Sequence, residues 1–231
     1  MSKNERHQSC VSLVPIFNHL DGESQGKVAS KAMSKNLEKN EYLYQAGDLD
    51  DSLYIVHQGQ IKITHLSESG KEQLIRILNP GDFTGEWTIF SEGDYHEHFA
   101  QATRKTNVCT IRKENFDQLL EEYPKISRKI LKTLANRLQE SQKQTSSIAT
   151  EDVLNRIIYY LEDLARAKSK TDDHIIVKLP MSRKDLASYL GTSPETISRR
   201  FKELEEEGLI NPLKRNQLEI LSVEKLVQAR Q

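Results

Sequence analysis

The sequence predicts an α+β fold with an N-terminal β-roll of the jelly-roll type, a long dimerisation helix and a C-terminal winged helix-turn-helix. Three observations predict this order. Short β-rich pieces with regular glycines come first, a glycine-free apolar stripe follows, and two short capped helices with a small wing come last. The predicted segments are 1–113 for the N-terminal arm and β-roll, 114–149 for the helix, and 150–231 for the winged helix-turn-helix.

The composition is that of a globular protein rather than a membrane or secreted one. Hydrophobic residues make up 36% of the 231 residues and charged residues 29%, which allows two modest domains with apolar cores. No apolar run approaches the roughly 18 residues needed to cross a bilayer, and the start MSKNERHQSC lacks the apolar stretch of a secretory signal. Two cysteines are too few for a secreted disulfide framework, so we expect a cytoplasmic protein with no membrane partner.

Glycines at turn spacing predict the β-roll. Gly47, Gly59, Gly70 and Gly81 lie 12, 11 and 11 residues apart, and β-rich pieces such as SLYIVHQG, QIKITHL and QLIRIL lie between them. Short strands with this punctuation are typical of antiparallel sandwiches, barrels and jelly rolls. The spacing therefore predicts the fold class of this half and leaves the order of its strands open.

An apolar stripe predicts the long helix and a homodimer. Residues 114–148 contain no glycine, and Ile126, Ile130, Leu134 and Leu138 follow one another at four-residue spacing. A stripe of this length needs a surface to pack against. We favour a copy of the same helix across a two-fold axis, and the alternative is packing on the helix's own domain.

Capping residues define the two helices of the C-terminal motif. Ser182 is placed to cap the first helix, with Asp185 three residues further on, and Gly191 lies in the tight turn that follows. Ser193 is placed to cap the second helix and Pro194 takes its first position, where a missing N–H costs nothing. The flanking elements are an amphipathic helix over 153–167, a strand in IIVKLP, the wing GLINPLKRNQLEIL and a final helix in SVEKLVQAR.

One face of the second helix has the chemistry to read base pairs in the major groove, which is where such a helix docks. Glu195, Ser198 and Arg199 share this face, while Ile197 and Phe201 point to the domain core. Arginine can contact guanine through two hydrogen bonds, glutamate can accept from cytosine, and serine can bond either way. The alternative is a surface ion pair between the glutamate and the arginine. We predict double-stranded DNA as the partner.

The charge distribution agrees with DNA binding locally rather than overall. The net charge is −1, from 33 basic and 34 acidic residues, so the chain as a whole is not polybasic. Between residues 181 and 202, however, five basic side chains stand against two acidic ones. We expect phosphate contacts from Arg183, Lys184, Ser193, Thr196 and Arg200.

From about residue 13 to residue 231 the chain resembles the Crp/Fnr superfamily of bacterial transcription regulators. These proteins combine a cyclic-nucleotide-binding-like β-roll sensor, a dimerisation helix and a winged helix-turn-helix. The stretch ETISR at 195–199 is similar to the recognition-helix signature of the FNR branch. This resemblance implies a TTGA-type half-site repeated as an inverted palindrome, with RNA polymerase as a further partner.

The same resemblance bears on the effector. Cyclic-nucleotide receptors of the superfamily hold their ligand with a Gly-Glu pair, followed by an Arg-Ser pair that takes the phosphate. Gly85 and Glu86 are present here, but His96 and Glu97 occupy the Arg-Ser positions. A carboxylate at that place would repel the phosphate, so we do not expect cyclic AMP to bind.

The cysteines imply a different signal. Iron–sulfur oxygen sensors of the FNR type use four cysteines, whereas this chain has only Cys10 and Cys109. The pair resembles that of the FLP-type, two-cysteine FNR-like proteins, in which a dithiol–disulfide switch is expected. The resemblance thus implies redox gating by Cys10 and Cys109 if the N-terminal arm folds back on the roll. In the alternative, Cys109 is a small buried hydrophobe on the same strand face as Ile111.

Metal-dependent alternatives rest on histidines. His7 with Cys10, and His96 with His98, could together supply four zinc ligands to an effector- or metal-gated regulator of the same fold. An H-x-H pair on a jelly roll also occurs in cupin-type metal enzymes, but no carboxylate follows within 99–103 to complete such a site. No nucleophile–base constellation or phosphate loop is present either. We therefore predict no catalytic residue, no metal and no cofactor.

Overall fold

In the computed structural model the chain forms two compact units, Met1–Arg137 and Leu138–Gln231. The structure describes residues 11, 14–91, 95–168, 173–214 and 216–230. None of the helices within these ranges combines the length and the apolar character that crossing a membrane requires.

The first unit is a roll of antiparallel strands, which confirms the predicted fold class. Its elements are α1 (Gly22–Ser30), β1 (Met33–Leu37), β2 (Tyr42–Tyr44), β3 (Ser52–Gln58), β4 (Ile61–Leu66), β5 (Glu72–Leu78), β6 (Phe83–Thr84), α2 (Glu86–Phe90), β7 (Phe99–Ala102) and β8 (Thr106–Arg112). One sheet has the order β1–β8–β3–β6 and the other β2–β7–β4–β5. Gly59, in the turn between β3 and β4, has φ +99°, and a Cβ there would lie 2.4 Å from the Thr106 hydroxyl. The punctuating glycine is thus required by both conformation and space.

One apolar cluster joins Val11, Val14 and Phe17 to the roll. Val11, Val14 and Phe17 are 3%, 0% and 0% exposed and belong to the same core cluster as Cys109 and Ile111 of β8. Of the residues before α1 that the structure describes, these therefore pack on the roll, in the same cluster as Cys109 of β8.

Two helices lie where the sequence predicts one over 114–149. They are α3 (Lys113–Glu122) and α4 (Lys125–Thr150), and the break between them falls at Tyr123 and Pro124. Proline has no N–H to donate and excludes the helical conformation from the residue before it, and Tyr123 accordingly has φ −129° and ψ 72°. The boundary between the two units lies inside α4, after Arg137.

The second unit contains the predicted winged helix-turn-helix. After the last turns of α4 it comprises α5 (Val153–Arg166), β9 (Ile175–Lys178), α6 (Arg183–Tyr189), α7 (Pro194–Glu206), β10 (Ile210–Pro212), β11 (Gln217–Ile220) and α8 (Val223–Gln228). The two wing strands, β10 and β11, form a three-stranded sheet with β9 in the order β10–β11–β9. Ile157, Leu186, Ile197, Phe201 and Ile220 are at most 2% exposed, so both helices of the motif are anchored to a common core.

Candidate nucleic-acid interface

Side-chain caps set the start of both helices of the motif. The Ser182 hydroxyl accepts a hydrogen bond from the Asp185 backbone N–H at 3.1 Å, and the Ser193 hydroxyl accepts from the Thr196 N–H at 3.2 Å. Pro194 occupies the first position of α7, as predicted. Between the helices Gly191 takes φ +66°, a left-handed conformation that other residues rarely adopt. The local sequence therefore fixes where α7 begins and which of its faces points outward.

The outward face of α7 presents an acid, a hydroxyl and a guanidinium together. Glu195, Ser198 and Arg199 are all exposed, and Ile197 and Phe201 on the opposite face are 0% and 2% exposed. Neither the glutamate nor the arginine makes an ion pair within the part of the chain that the structure describes. The Ser198 hydroxyl donates to the Pro194 carbonyl at 3.0 Å and keeps its acceptor capacity. The expected burial pattern of the helix is confirmed, and the two charges remain available to a ligand.

Three of the residues predicted to contact phosphates are basic, and these three fall into two groups. Arg183 and Lys184 are exposed at the start of α6, and the Arg183 guanidinium lies 4.9 Å from the centre of the Phe201 ring. Arg200 is different, because its Nη1 donates to the Glu203 carboxylate at 2.6 Å and its side chain is only 31% exposed. A phosphate would have to compete with Glu203 for this arginine. The phosphate contact of Arg200 stays a prediction, in which a phosphate replaces Glu203 as the partner of the guanidinium.

The first residues of the predicted dimer stripe do not face a second copy, which corrects that prediction. Ile126 and Ile130 are 0% and 3% exposed in the core of the roll, and Leu134 packs against the same cluster. Steps of four residues drift by roughly 120° around a helix over three steps, so such a stripe cannot face one partner throughout. Leu138 is 60% exposed. The exposed residues at alternating steps of four and three are Leu131, Ala135, Leu138, Gln142, Thr145 and Ala149.

A charge cluster surrounds Glu86, one member of the Gly-Glu pair that cyclic-nucleotide receptors of the superfamily use to hold their ligand. Glu86 accepts from Arg76 at 2.6 Å and from Arg137 at 2.9 Å, and Arg137 also donates to the Phe83 carbonyl at 2.7 Å. Burial alone would raise the pKa of Glu86, but the two guanidiniums outweigh it and hold that pKa below its ordinary value. The sequence pattern identified Glu86 and missed both arginines, which lie ten and 51 residues away from it along the chain.

The two predicted H-x-H histidines are held by aromatic contacts. The His96 ring stacks on Tyr44 with centroids 3.6 Å apart, and His98 meets His65 edge-on at 5.7 Å. Burial lowers the pKa of both His96 and His98. Among the described residues no group of three or more His, Cys, Asp or Glu side chains is arranged to hold a metal ion. His7 and Cys10 lie outside the described residues.

Cys109 lies deep in the roll. It is 2% exposed on β8, and Ile111 on the same strand is also in its cluster; burial of this kind fits a disulfide-bonded cysteine as well as a small buried hydrophobe. The cluster includes Val11, the residue directly after Cys10 in the sequence.

Both halves of the chain match known domain families. Residues 34–123 match the cyclic nucleotide-binding domain and residues 155–229 match the Crp-like helix-turn-helix domain. The first match covers the roll and the second covers α7 with its wing.

Individual proteins are similar over nearly the whole chain. The probable transcriptional regulator flp of Lacticaseibacillus casei is 35% identical over 202 residues, covering 87% of this chain and 90% of that protein. The transcriptional activator protein Anr of Pseudomonas protegens is 29% identical, with 90% and 86% covered. Among solved structures, a CooA mutant from Carboxydothermus hydrogenoformans aligns with a TM-score of 0.79 over 94% of each chain at 20% identity, a likeness of fold alone.

Proposed function

Because this chain belongs to the Crp/Fnr family of DNA-binding transcription regulators, we propose that it reads an inverted-repeat, TTGA-type operator as a homodimer. Its relatives are regulators, and the chain is not an enzyme. One observation carries the proposal: Glu195, Ser198 and Arg199 stand exposed on one face of α7, and no neighbouring side chain in the described structure neutralises the two charges. Inserted in the major groove, this face meets base edges.

Phosphate contacts would orient α7 in the groove. Arg183 and Lys184 are exposed beside the turn, and the backbone N–H groups at the start of α7 present partial positive charge next to Ser193 and Thr196. These contacts carry no sequence information and set the register of the helix. Base preference then rests on the three residues of the exposed face.

The exposed face of α4 supports the homodimer. Its residues recur at alternating steps of four and three, the spacing that keeps one side of two supercoiled helices in contact. Leu131 and Leu138 are 65% and 60% exposed, and the later positions are small or polar. We name the six residues Leu131, Ala135, Leu138, Gln142, Thr145 and Ala149 the α4 seam.

Replacing Leu138 by aspartate tests the dimer and its operator together. The wild-type chain should sediment as a dimer and bind an inverted TTGA repeat about 1,000-fold more tightly than a scrambled duplex. Leu138→Asp removes the apolar contact of two half-exposed leucines, roughly 2 kcal/mol, and places two carboxylates together. We expect at least a ~30-fold rise in the dimer dissociation constant, with a parallel loss of affinity for the repeat.

Sedimentation velocity and fluorescence anisotropy give the two readings. Asn136→Asp is the matched control, since it adds the same charge at an exposed position of α4 outside the seam. A Leu138→Asp protein that stays dimeric at low micromolar concentration would place the dimer contact elsewhere. A wild-type protein that binds scrambled DNA equally well would refute the proposed operator.

We further propose that Cys10 and Cys109 gate DNA binding as a dithiol–disulfide pair. Val11, which directly follows Cys10 in the sequence, is buried in the cluster that contains Cys109. A disulfide requires Cα atoms within about 7 Å. Oxidation would remove two protons and two electrons from the thiols and form one S–S bond, with oxidised glutathione as an acceptor.

Operator affinity should therefore depend on the redox state. We expect the reduced and glutathione-oxidised proteins to differ about 5–150-fold in operator affinity, the usual range of coupling between two sites. Cys10→Ser and Cys109→Ser should each abolish the difference. A thiol count after denaturation should give two in the reduced form and none in the oxidised one. Equal affinities of the two wild-type forms would exclude the switch and leave DNA binding untouched.

Among the residues that the structure describes, the roll has no uncommitted arginine in its cavity that could bind the phosphate of a cyclic nucleotide. A cavity of about 210 Å³ remains beside Arg76, Glu86 and His96. However, Arg76 and Arg137 already have Glu86 as their partner. Glu97 lines the same cavity and would repel a phosphate. We propose that cyclic AMP is not the effector, and that the regulator acts in the cytoplasm, where DNA and RNA polymerase are found.

A further inference from the structure

The C-terminal end of α6 has two backbone carbonyls that its own turn does not satisfy. The carbonyls of Leu186, Ala187 and Ser188 accept from the N–H groups of residues 190, 192 and 191. The last carbonyls of a helix have no partner within it, and an unpaired one loses free energy when water is excluded. The carbonyls of Tyr189 and Leu190 must find donors outside the motif.

Both donors come from helices outside the motif. Gln144 of α4 donates its side-chain amide to the Tyr189 carbonyl at 2.8 Å. Arg156 of α5 donates Nη1 to the Leu190 carbonyl at 2.5 Å. A positive charge at a helix C-terminus also interacts favourably with the helix dipole. These two side chains complete the cap of α6.

The turn itself rests on the same two helices. A Cβ on Gly191 would lie 3.4 Å from the Ile148 side chain of α4 and 3.4 Å from Arg156. The turn between α6 and α7 therefore has the Ile148 side chain of α4 as a neighbour. The hydrogen bonds from Gln144 and Arg156, rather than close packing, hold the turn to α4 and α5.

The same stretch of α4 also carries part of the seam. Leu138–Gln231 forms one compact unit, so Leu138, Gln142, Thr145 and Ala149 belong to the unit that contains α7. Gln142 and Gln144 are about 200° apart around the helix, which places one on the seam and the other toward α6. One stretch of helix thus carries the proposed seam on one side and holds the DNA-reading turn on the other.

We propose that Gln144 and Arg156 are positioning residues that set the distance between the two recognition helices of the dimer, and with it the half-site spacing that the protein accepts. The inference rests on the proposed homodimer and operator. Two recognition helices must lie one DNA turn apart, about 34–36 Å, to read both half-sites. A loosened cap lets α6 and α7 tilt on α4, so the dimer tolerates other spacings.

The test compares three duplexes with the full-length protein. One carries inverted TTGA half-sites one turn apart, one has a base pair inserted at the centre, and one keeps a single half-site. Wild type should prefer the first over the second by about tenfold or more. Gln144→Ala should reduce that preference about three- to tenfold, the range that one lost hydrogen bond allows, while single half-site binding and base preference stay unchanged.

Matched variants separate positioning from a general loss of stability. Gln139→Ala changes the same residue type at an exposed position of α4 and should keep the wild-type preference. Arg156→Ala should reduce the preference, and Arg156→Lys, which can still donate to the Leu190 carbonyl, should restore much of it. Gln144→Ala with an unchanged spacing preference overturns the inference. An equal loss of affinity for all three duplexes on Gln144→Ala also overturns the inference. A wild type that treats all three alike overturns the proposed operator, and the inference with it.

Discussion

Replacing Arg199 by alanine is expected to abolish the preference for guanine at one position of each half-site. A two-hydrogen-bond contact from arginine to guanine contributes about 1–3 kcal/mol of discrimination, and a palindrome contains two of them. Wild type should therefore favour the intact repeat over a repeat with both guanines replaced by roughly 2–6 kcal/mol, and Arg199→Ala should lose most of that difference. No other single change at the interface is expected to alter base preference as much.

The local surroundings of Arg199 explain the size of the effect. Its side chain is exposed, and its guanidinium makes no ion pair in the described part of the structure. A surface pair with Glu195, the alternative interpretation, would stabilise the helix by only about 0.2–0.5 kcal/mol. A guanidinium without such a pair does not have to break one before it contacts a base.

Anisotropy titrations on a set of duplexes, each with one symmetric base-pair change in the half-site, measure the preference directly. Lys202→Ala is the control, because Lys202 lies on the same helix and is paired with Glu206 at 3.4 Å. It should weaken all duplexes alike or leave them unchanged. If Arg199→Ala lowers affinity equally for every duplex and reduces the salt dependence, the arginine contacts a phosphate instead.

The local signals in the sequence predicted the second unit well. Ser182, Ser193 and Pro194 act through hydrogen bonds and backbone angles within a few residues, so their roles can be deduced without tertiary structure. The burial of Ile197 and Phe201 follows from helix periodicity in the same way.

Contacts that join distant parts of the chain could not be predicted from the sequence. An apolar stripe shows that a helix face is buried, but Ile126 and Ile130 do not reveal whether the partner is a second copy or their own roll. Gln144 is one of several glutamines on α4, and only the tertiary structure shows that it caps α6. The same holds for Glu86, whose partners come from β5 and from α4.

Replacing Glu86 by alanine is expected to destabilise the roll by about 3–5 kcal/mol, because two half-buried arginines lose the carboxylate they share. The Arg76 and Arg137 side chains are 29% and 15% exposed, so water cannot fully replace Glu86. The cluster of Arg76, Glu86 and Arg137 need not stabilise the roll more than well-packed apolar residues would. The loss of stability arises because the carboxylate is removed while both guanidiniums stay in place.

Denaturant unfolding followed by the fluorescence of Trp87, the single tryptophan and the neighbour of Glu86 on α2, reports on this unit. Glu38→Ala is the control, since Glu38 makes an ion pair with Lys105 at 3.2 Å in which both side chains are exposed, at 74% and 79%. Such surface pairs contribute about 0–1 kcal/mol. Equal losses for the two variants would mean that the Arg76–Glu86–Arg137 cluster stabilises the roll no more than a surface pair.

The pH dependence gives the same prediction an independent check. The folded-state pKa of Glu86 is lowered, because Arg76 and Arg137 outweigh the opposing effect of burial. Its contribution is therefore fully present above the pKa of an unfolded glutamate, about 4.3, and is lost as the pH falls through the lower folded value. The stability difference between wild type and Glu86→Gln should be greatest near neutral pH and should shrink below about pH 4. A difference that grew on acidification would mean that Glu86 is protonated in the folded roll, and the two arginines would then be held without a charged partner.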